Sequence, residues 1–242
     1  MVDWQPIPGA VAALERLRAR GVPFRIVTNH TTRSRLALHE QLAGLGFALN
    51  LEEIVTAPRA AAAWLRRHGA ARIRLVVDEA VRDEFGGLSV VEDRPDVVVL
   101  GDVGDAWSNA LLNGIFRDLM NGARLVALHK GRYWETAEGL TMDIGAFVAG
   151  LEYVSGVDAT VVGKPSASFF ELALDEMGAA PSESAMVGDD LINDVAGAQA
   201  AGMRGILVRT GKYRADVTSA SDVKPDLTLN SIADVPDALL SL

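Results

Sequence analysis

The chain has 242 residues, of which 49% are hydrophobic, enough for one large domain or two smaller ones with a sizeable core. Its net charge of −9 argues against a nucleic-acid partner, because binding to a phosphate backbone depends on clustered lysine and arginine. It contains no cysteine, which excludes disulfides, zinc–thiolate sites and cysteine nucleophiles. No apolar run approaches the ~20 residues that span a bilayer and no signal-peptide pattern is present, so we expect a cytoplasmic protein without a membrane partner.

The first part of the chain alternates helices with short apolar strands. After a polar lead-in over residues 1–8, Pro8 and Gly9 are predicted to open a helix that runs to about Arg20. Strands are predicted at 24–28 and 54–56, and helices at 34–45 and 58–68. This alternation with short loops is typical of a parallel, doubly wound sheet.

The same alternation continues through the rest of the chain. About nine strands would be many for one open sheet, so a second sheet is more economical. The segment 130–134 is rich in aromatic and cationic residues and leads to a turn predicted at Glu138 and Gly139. The other predicted strands are 72–77, 96–100, 124–128, 159–163, 184–189, 205–210 and 226–229, and the other predicted helices are 110–120, 143–154, 167–177, 191–201 and 231–240.

Two adjacent carboxylates follow the predicted strand 184–189. Asp189 and Asp190 stand at its carboxyl end, and Asp194 lies just inside the next helix. Ligands of open parallel sheets bind beyond the carboxyl ends of the strands, and a pair of carboxylates there suits Mg²⁺. The alternative is that Asp189 and Asp190 only cap the helix that begins near Leu191.

Polar residues also follow two other predicted strands. Thr28 and Asn29, with the N–H groups of the following helix, can hold phosphate oxygens, although an ordinary helix cap also explains them. Lys164 can place a positive charge against a phosphoryl oxygen, although a surface lysine is the alternative.

Together these signals carry a family resemblance. Thr-Asn at 28–29, Gly-Lys-Pro at 163–165 and Gly-Asp-Asp-x₃-Asp at 188–194 resemble motifs two, three and four of the haloacid dehalogenase (HAD) phosphohydrolase superfamily. The form of the last two motifs is similar to class IIA, the NagD-like group. The likeness covers almost the whole chain and is carried by the segments 77–85, 130–151, 161–170 and 186–214.

The resemblance implies a fold and a division into domains. The fold would be α/β, with a Rossmann-like parallel-sheet core formed by residues 1–71 and 159–242. A C2-type α/β cap would be inserted at residues 72–158. The implied activity is that of a Mg²⁺-dependent phosphatase acting on a small phosphorylated substrate.

The resemblance also implies roles for the strand-end residues. Thr28 and Asn29 would bind the phosphoryl oxygens, and Lys164 would neutralise the phosphate and the nucleophile. Asp189 would bind Mg²⁺. Asp190 would complete the metal site, and Asp190 and Asp194 together would hold the water ligands of the metal and Lys164 in place.

The implied cap contains four candidate specificity residues. Lys130, Arg132, Tyr133 and Asp143 are expected to face the leaving group of the substrate. The alternative for all four is a solvated cap surface.

One motif of the family has no counterpart in this sequence. The family reaction begins with an aspartate nucleophile in an Asp-x-Asp-Gly motif on the first, central strand. That motif should precede residues 6–10, where only five residues stand, and Asp3 does not fit the role. We expect a start assigned too late or a shortened chain, with impaired or absent activity and a missing central strand. Low solubility, oligomerisation through exposed edges or a rearranged N-terminal segment would follow.

The sequence leaves three functional hypotheses open. The leading one is a class IIA phosphatase that is inactive or impaired in this chain. The second is a protein that binds phosphate or a phosphorylated ligand without turnover. The third is a structural α/β domain in which the acidic residues only cap a helix.

Overall fold

The structure is a computed structural model that describes residues 5–136 and 139–239. Predictions made for the first four residues, for Glu138 of the expected turn and for the end of the last helix at 240 therefore lie outside the described residues. None of the described helices is long and apolar enough to cross a membrane.

Helices and strands alternate over the described residues, as expected for an α/β protein. The α-helices are Ala10–Ala19 (α1), Arg35–Gly44 (α2), Ala57–Arg67 (α3), Asn109–Met120 (α4), Gly145–Ser155 (α5), Ala167–Met177 (α6), Gly197–Ala200 (α7), Ala215–Ala220 (α8) and Val235–Ala238 (α9). The strands are Ile26–Thr28 (β1), Ile54–Thr56 (β2), Ile73–Val76 (β3), Val97–Leu100 (β4), Arg124–Ala127 (β5), Tyr133–Thr136 (β6), Gly139–Met142 (β7), Thr160–Val161 (β8), Ala185–Gly188 (β9), Arg204–Val208 (β10) and Leu227–Leu229 (β11).

The strands form four small sheets rather than one large one. β9, β10 and β11 pair in parallel in the order β11-β10-β9, and β3, β4, β5 and β8 pair in parallel in the order β3-β4-β5-β8. β1 pairs with β2, and β6 pairs with β7 as an antiparallel hairpin. The predicted α/β class with parallel sheets is confirmed.

The chain divides into two compact units. The first contains the segment that ends at Val27, Leu36–Ile54 and the segment that begins at Lys164. The second contains Thr28–Arg35 and Val55–Gly163. The cap boundaries expected at residues 72 and 158 stay a prediction.

Three clusters of apolar side chains stabilise the first unit, the third formed by Leu191, Val195 and Leu207. In the first cluster Leu42, Phe47 and Ile54 pack beneath α1, and in the second Phe170 packs with Met186 of β9. The second cluster brings α6 and the helical turn of α7 against the β9 strand. It therefore fixes the strand end from which the acidic motif emerges.

The second unit is organised around β4. All four residues of Val97–Leu100 are buried, as expected for an inner strand of a parallel sheet that is covered on both faces. Ile115 of α4 and Val148 of α5 pack in the same cluster as Val98 and Leu100. This sheet positions the loops that follow β5 and β8.

Two segments differ from the sequence-based expectation. The stretch 133–142 was expected to contain only a turn, but it forms the β6–β7 hairpin, in which Tyr133 pairs with Met142. Aromatic and β-branched residues favour strands, and Gly139, with φ of 110°, takes a left-handed backbone conformation that favours glycine. The short helix α8 (Ala215–Ala220) was not predicted either.

The helix after β9 also differs in its first turns. Leu191–Ala196 is π-helical, and only the following α7 is α-helical. The Val195 N–H donates to the carbonyl of Asp190, five residues earlier, at 3.3 Å. Such π-helical turns frequently occur at functional sites, where they change the direction of side chains.

Candidate active site

The strand β9 delivers the acidic motif to one end of the first unit. Asp189 and Asp190 follow directly after its last residue, Gly188. A Cβ atom built on Gly188 would overlap the Asp194 side chain, so only glycine lets that carboxylate lie over the end of the strand. The next turn therefore folds back, and Asp194 is only 4% exposed.

Asp190 acts as the cap of the π-helical segment. Its Oδ1 accepts hydrogen bonds from the N–H groups of Ile192 (3.2 Å) and Asn193 (2.9 Å), and its Oδ2 accepts one from Asn193 Nδ2 (2.8 Å). Burial raises the pKa of Asp190, but the Asn193 hydrogen bonds and the charge of Lys212 outweigh it and leave the pKa below its usual value. The helix-cap alternative is thus the observed geometry for Asp190.

Asp189 has a different environment from its neighbour. Its Oδ2 accepts a hydrogen bond from the backbone N–H of Lys212 at 3.0 Å, whereas its Oδ1 has no hydrogen-bond partner among the described residues. A carboxylate with one uncommitted oxygen is a suitable monodentate ligand for a hard cation.

Lys164 and Asp194 form a buried ion pair. Lys164 Nζ lies 2.7 Å from Asp194 Oδ1, with only 12% and 6% of the two side chains exposed. The ammonium also approaches the carbonyl oxygen of Val27 at 3.5 Å. A Cβ on Gly197 would press against Pro165 at 2.8 Å, so this glycine allows the close approach of the Lys164 loop to the helix. The structure thus brings together Lys164, Asp189, Asp190 and Asp194 in one unit.

Thr28 and Asn29 lie in the second unit. The Thr28 hydroxyl accepts a hydrogen bond from the His30 N–H at 3.2 Å, which shapes the turn after β1. A Cβ built on Gly163 would lie 2.8 Å from Asn29 Oδ1, so the residue before Lys164 packs directly against the Asn29 amide. The phosphate-binding role predicted for Thr28 and Asn29 stays a prediction.

Two of the four candidate specificity residues are engaged within the second unit. Lys130 Nζ lies 2.6 Å from Glu152 Oε2, and Asp143 Oδ1 accepts a hydrogen bond from the Ile144 N–H at 2.7 Å. By contrast, Arg132 is exposed and Tyr133 is 59% exposed. All four lie in or beside the β6–β7 hairpin, and their predicted contact with a leaving group is not tested.

Sequence reasoning missed a pair of histidines in the second unit. His129 is buried, its Nδ1 accepts a hydrogen bond from the Gly131 N–H at 3.1 Å, and its Nε2 lies 3.8 Å from Asp143 Oδ1. Burial, followed by the charges of Arg33 and His129, lowers the pKa of His30. One indication of this pair is present in the sequence: His30 follows Thr28 and Asn29, and His129 precedes Lys130.

The donor set fits a hydrated magnesium ion better than a metal held by many side chains. Among the described residues no three histidine, aspartate or glutamate side chains form a metal-binding group. Mg²⁺ commonly keeps several waters and takes only one or two protein carboxylates together with substrate phosphate. Asp189 Oδ1 can supply one such ligand, with Asp190 close by to hold a water.

Two family profiles match separate parts of the chain. A haloacid dehalogenase-like hydrolase profile matches residues 1–90, and a HAD-hydrolase-like profile matches residues 161–235. The chain is 40% identical over 237 residues to the phospholysine phosphohistidine inorganic pyrophosphate phosphatase of Xenopus laevis, covering 97% of this chain and 87% of that protein. The chain belongs to the haloacid dehalogenase-like hydrolases.

Further similar proteins indicate the class of HAD hydrolases to which the chain is related. The human haloacid dehalogenase-like hydrolase domain-containing protein 2 is 42% identical over 234 residues, with 97% of this chain and 89% of that protein covered. Among solved structures, the p-nitrophenyl phosphatase from Archaeoglobus fulgidus has a TM-score of 0.91 at 29% identity, covering 97% of this chain and 93% of that one. NagD from Escherichia coli K-12 has a TM-score of 0.89 at 28% identity, with the same coverage. The resemblance to class IIA, the NagD-like hydrolases, is confirmed.

Proposed function

We propose that this HAD hydrolase has the site of a Mg²⁺-dependent phosphatase that acts on a small phosphorylated compound. We also propose that the 242-residue chain has little or no turnover by itself, because it lacks the nucleophile motif. Lys164 and Asp194 form its charged centre, Asp189 binds the cation directly, and Asp190 holds a water ligand of the cation. Thr28 and Asn29 bind the phosphoryl oxygens. When bound, the ion supplies positive charge that neutralises the phosphate and polarises the phosphoryl group.

The buried Lys164–Asp194 ion pair beside Asp189 is the observation that supports this proposal most. A lysine fixed at 2.7 Å from a carboxylate keeps its charge in one place, and removal from water makes that charge more effective toward an incoming phosphate. Lys164 also approaches the carbonyl of Val27, which directly precedes Thr28 in the chain. Gly163, which directly precedes Lys164 in the chain, contacts Asn29.

The proposed loss of turnover rests on the sequence. No Asp-x-Asp pair occurs anywhere in the 242 residues, so the aspartate that forms a phospho-enzyme in this family has no counterpart here. Removal of a nucleophile typically eliminates most of the rate and leaves the binding groups in place. The alternative function is therefore a HAD-like protein that binds phosphate or a phosphorylated ligand without catalysis.

The relatives guide the choice of test compounds. One relative is named for phospholysine, phosphohistidine and inorganic pyrophosphate, and one structural neighbour is named for p-nitrophenyl phosphate. We propose phosphoamidates and pyrophosphate as the first candidate substrates. In this proposal residues 72–158 form the cap and residues 1–71 and 159–242 the core, and Lys130, Arg132, Tyr133 and Asp143 contact the leaving group. We propose a cytoplasmic location, no nucleic-acid or membrane partner, and a capacity to form homo-oligomers.

Binding and turnover can be tested separately. Addition of Mg²⁺ and inorganic phosphate should raise the melting temperature of the 242-residue chain, because a ligand that binds only the folded state stabilises it. The same ligands should raise the melting temperature of Asp189→Asn by less. An unchanged melt of the wild-type chain would favour the purely structural reading.

A phosphatase assay then separates the enzyme from the binding protein. The 242-residue chain should hydrolyse p-nitrophenyl phosphate and pyrophosphate very slowly, whereas a chain extended at its N-terminus by a segment with Asp-x-Asp-Gly should hydrolyse them readily. Efficient, Asp189-dependent turnover by the 242-residue chain would refute the account of the missing nucleophile. Ligand binding by both chains without turnover by either would favour the binding protein.

A further inference from the structure

The loop after β10 contacts Asp189 through its main chain. The N–H of Lys212 donates to Asp189 Oδ2 at 3.0 Å. Gly211 has a φ of 59°, in the left-handed region, and a Cβ built on it would overlap the same Asp189 oxygen. The Gly211–Lys212 peptide therefore lies directly against the carboxylate, and the contact depends on glycine for both backbone conformation and space.

The pairing of two parallel strands creates this contact. β10 pairs with β9 so that Leu207 is opposite Gly188, and the two strands therefore end at the same level. Asp189 is the first residue beyond one strand, and the 209–212 loop leaves the other. The two meet although 23 residues separate Asp189 from Lys212 in sequence.

The two carboxylate oxygens of Asp189 therefore differ in their hydrogen bonding. Oδ2 is held by the Lys212 N–H, and Oδ1 has no hydrogen-bond partner among residues 5–136 and 139–239. The neighbouring Asp190 provides the contrast, because both of its oxygens accept hydrogen bonds from its own helix. Of these two carboxylates, that of Asp189 thus offers the oriented oxygen that has no hydrogen-bond partner among the described residues.

We propose that the Gly211–Lys212 peptide is a positioning element for the metal site, which holds Asp189 Oδ2 so that Oδ1 is left for a divalent cation. This inference rests on the proposed function, since it presumes that Asp189 binds the cation. The 209–212 loop contributes no side chain to the proposed chemistry and would act through its main chain. Partners that orient a ligating group are needed for full metal affinity.

Two glycine variants separate this role from a general effect on the backbone. Gly211→Ala adds a methyl group where Asp189 lies, and Gly178→Ala is the matched control. Gly178 has a φ of 61°, almost the same as Gly211, but a Cβ built there meets nothing within 4 Å. Both variants therefore carry the same left-handed strain, and only one disturbs the carboxylate.

The readout is the affinity of the 242-residue chain for Mn²⁺, a spectroscopic substitute for Mg²⁺, measured by electron paramagnetic resonance. Gly211→Ala should weaken Mn²⁺ binding about tenfold or more, the size of effect seen when a group that orients a metal ligand is lost. Gly178→Ala should not weaken it. Equal affinity of Gly211→Ala and wild type would overturn the positioning role and leave the proposed function standing.

A second measurement applies even if Gly211→Ala folds poorly. In NMR spectra the amide proton of Lys212 should shift and exchange faster with solvent in Asp189→Ala, because its acceptor is removed, but not in Asp222→Ala, an exposed aspartate of the same unit. An unchanged Lys212 amide would overturn the proposal. If wild type binds no Mn²⁺ while the amide still responds, the contact exists but the metal site of the proposed function is wrong, and the positioning role toward a cation is overturned with it.

Discussion

Replacement of Lys164 by methionine tests the ion pair at the centre of the first unit. The change removes the ammonium and keeps an unbranched side chain of similar length. Asp194 then remains buried, at 4% exposure, with the Asp190 N–H at 3.2 Å as its remaining hydrogen-bond donor from the motif. A buried carboxylate that loses its counter-charge is destabilising, because it was removed from water without compensation.

The expected magnitude follows from the 2.7 Å separation. With an effective dielectric constant of about 20, two unit charges at that distance attract each other by about 6 kcal/mol. Relaxation and entry of water reduce the net loss, and breaking one partner of a buried pair typically costs about 3–5 kcal/mol. For a protein of this size such a loss lowers the melting temperature by roughly 6–20 °C.

The assay is urea denaturation followed by circular dichroism, combined with hydrogen exchange of the segment 185–208 to assign the loss to the first unit. Lys224→Met is the control, because that lysine is exposed and, among the described residues, its Nζ donates a hydrogen bond to the backbone carbonyl of Ser221 and to no carboxylate. It should change the free energy of unfolding by less than about 0.5 kcal/mol. Combining Lys164→Met with Asp194→Asn should recover part of the loss, with a coupling of about 2–3 kcal/mol. A Lys164→Met variant as stable as Lys224→Met, or additive single changes, would refute the reasoning.

Two further predictions concern the second unit. Burial and the charges of Arg33 and His129 lower the pKa of His30, so as the pH falls below about 6.5 the unfolded chain takes up a proton before the folded chain does, and stability is lost. Urea denaturation should show a larger decrease between pH 7 and pH 5.5 for wild type than for His30→Gln, and parallel decreases would contradict this cause. Within α5, Gly145→Ala should destabilise because its Cβ would overlap backbone carbonyl oxygens, whereas Gly150→Ala meets nothing within 4 Å and should stabilise by up to about 1 kcal/mol. Thermal melts compare the two variants. A higher melting temperature for Gly145→Ala than for Gly150→Ala would contradict the prediction and show that the loop packed against Gly145 moves at little cost.

Local patterns predicted most of the regular elements. The apolar run of Val97–Leu100 reads as an inner parallel strand and is one, because its side chains are buried on both faces. Ile54–Thr56 was predicted with its observed bounds, and Thr56 caps α3 by accepting the Arg59 N–H at 3.4 Å. Such elements follow from residues close together in sequence.

The remaining features depend on contacts that local patterns do not encode. The β6–β7 hairpin forms by pairing across a turn, and its exposed Leu140 (71%) and Met142 (69%) give no alternation of buried and exposed residues to detect. The family resemblance assigned different roles to Asp189 and Asp190, but the strand-end pattern alone did not distinguish them. Their carboxylates differ because one contacts the loop of a neighbouring strand and the other its own helix. Only the register of β9 and β10 reveals that difference.

The close packing at three glycines sets how freely this site can change. At Gly188, Gly197 and Gly211 the place of a methyl group is already filled by Asp194, Pro165 and Asp189 in turn. In a library of all single substitutions selected for folded protein, variants at these three glycines should therefore be depleted as strongly as variants at Asp189 and Asp194. Gly69 and Gly178, which have similar left-handed angles and open surroundings, should tolerate exchange far better. The tolerance of these positions to substitution would then be determined by the available space and not by charge.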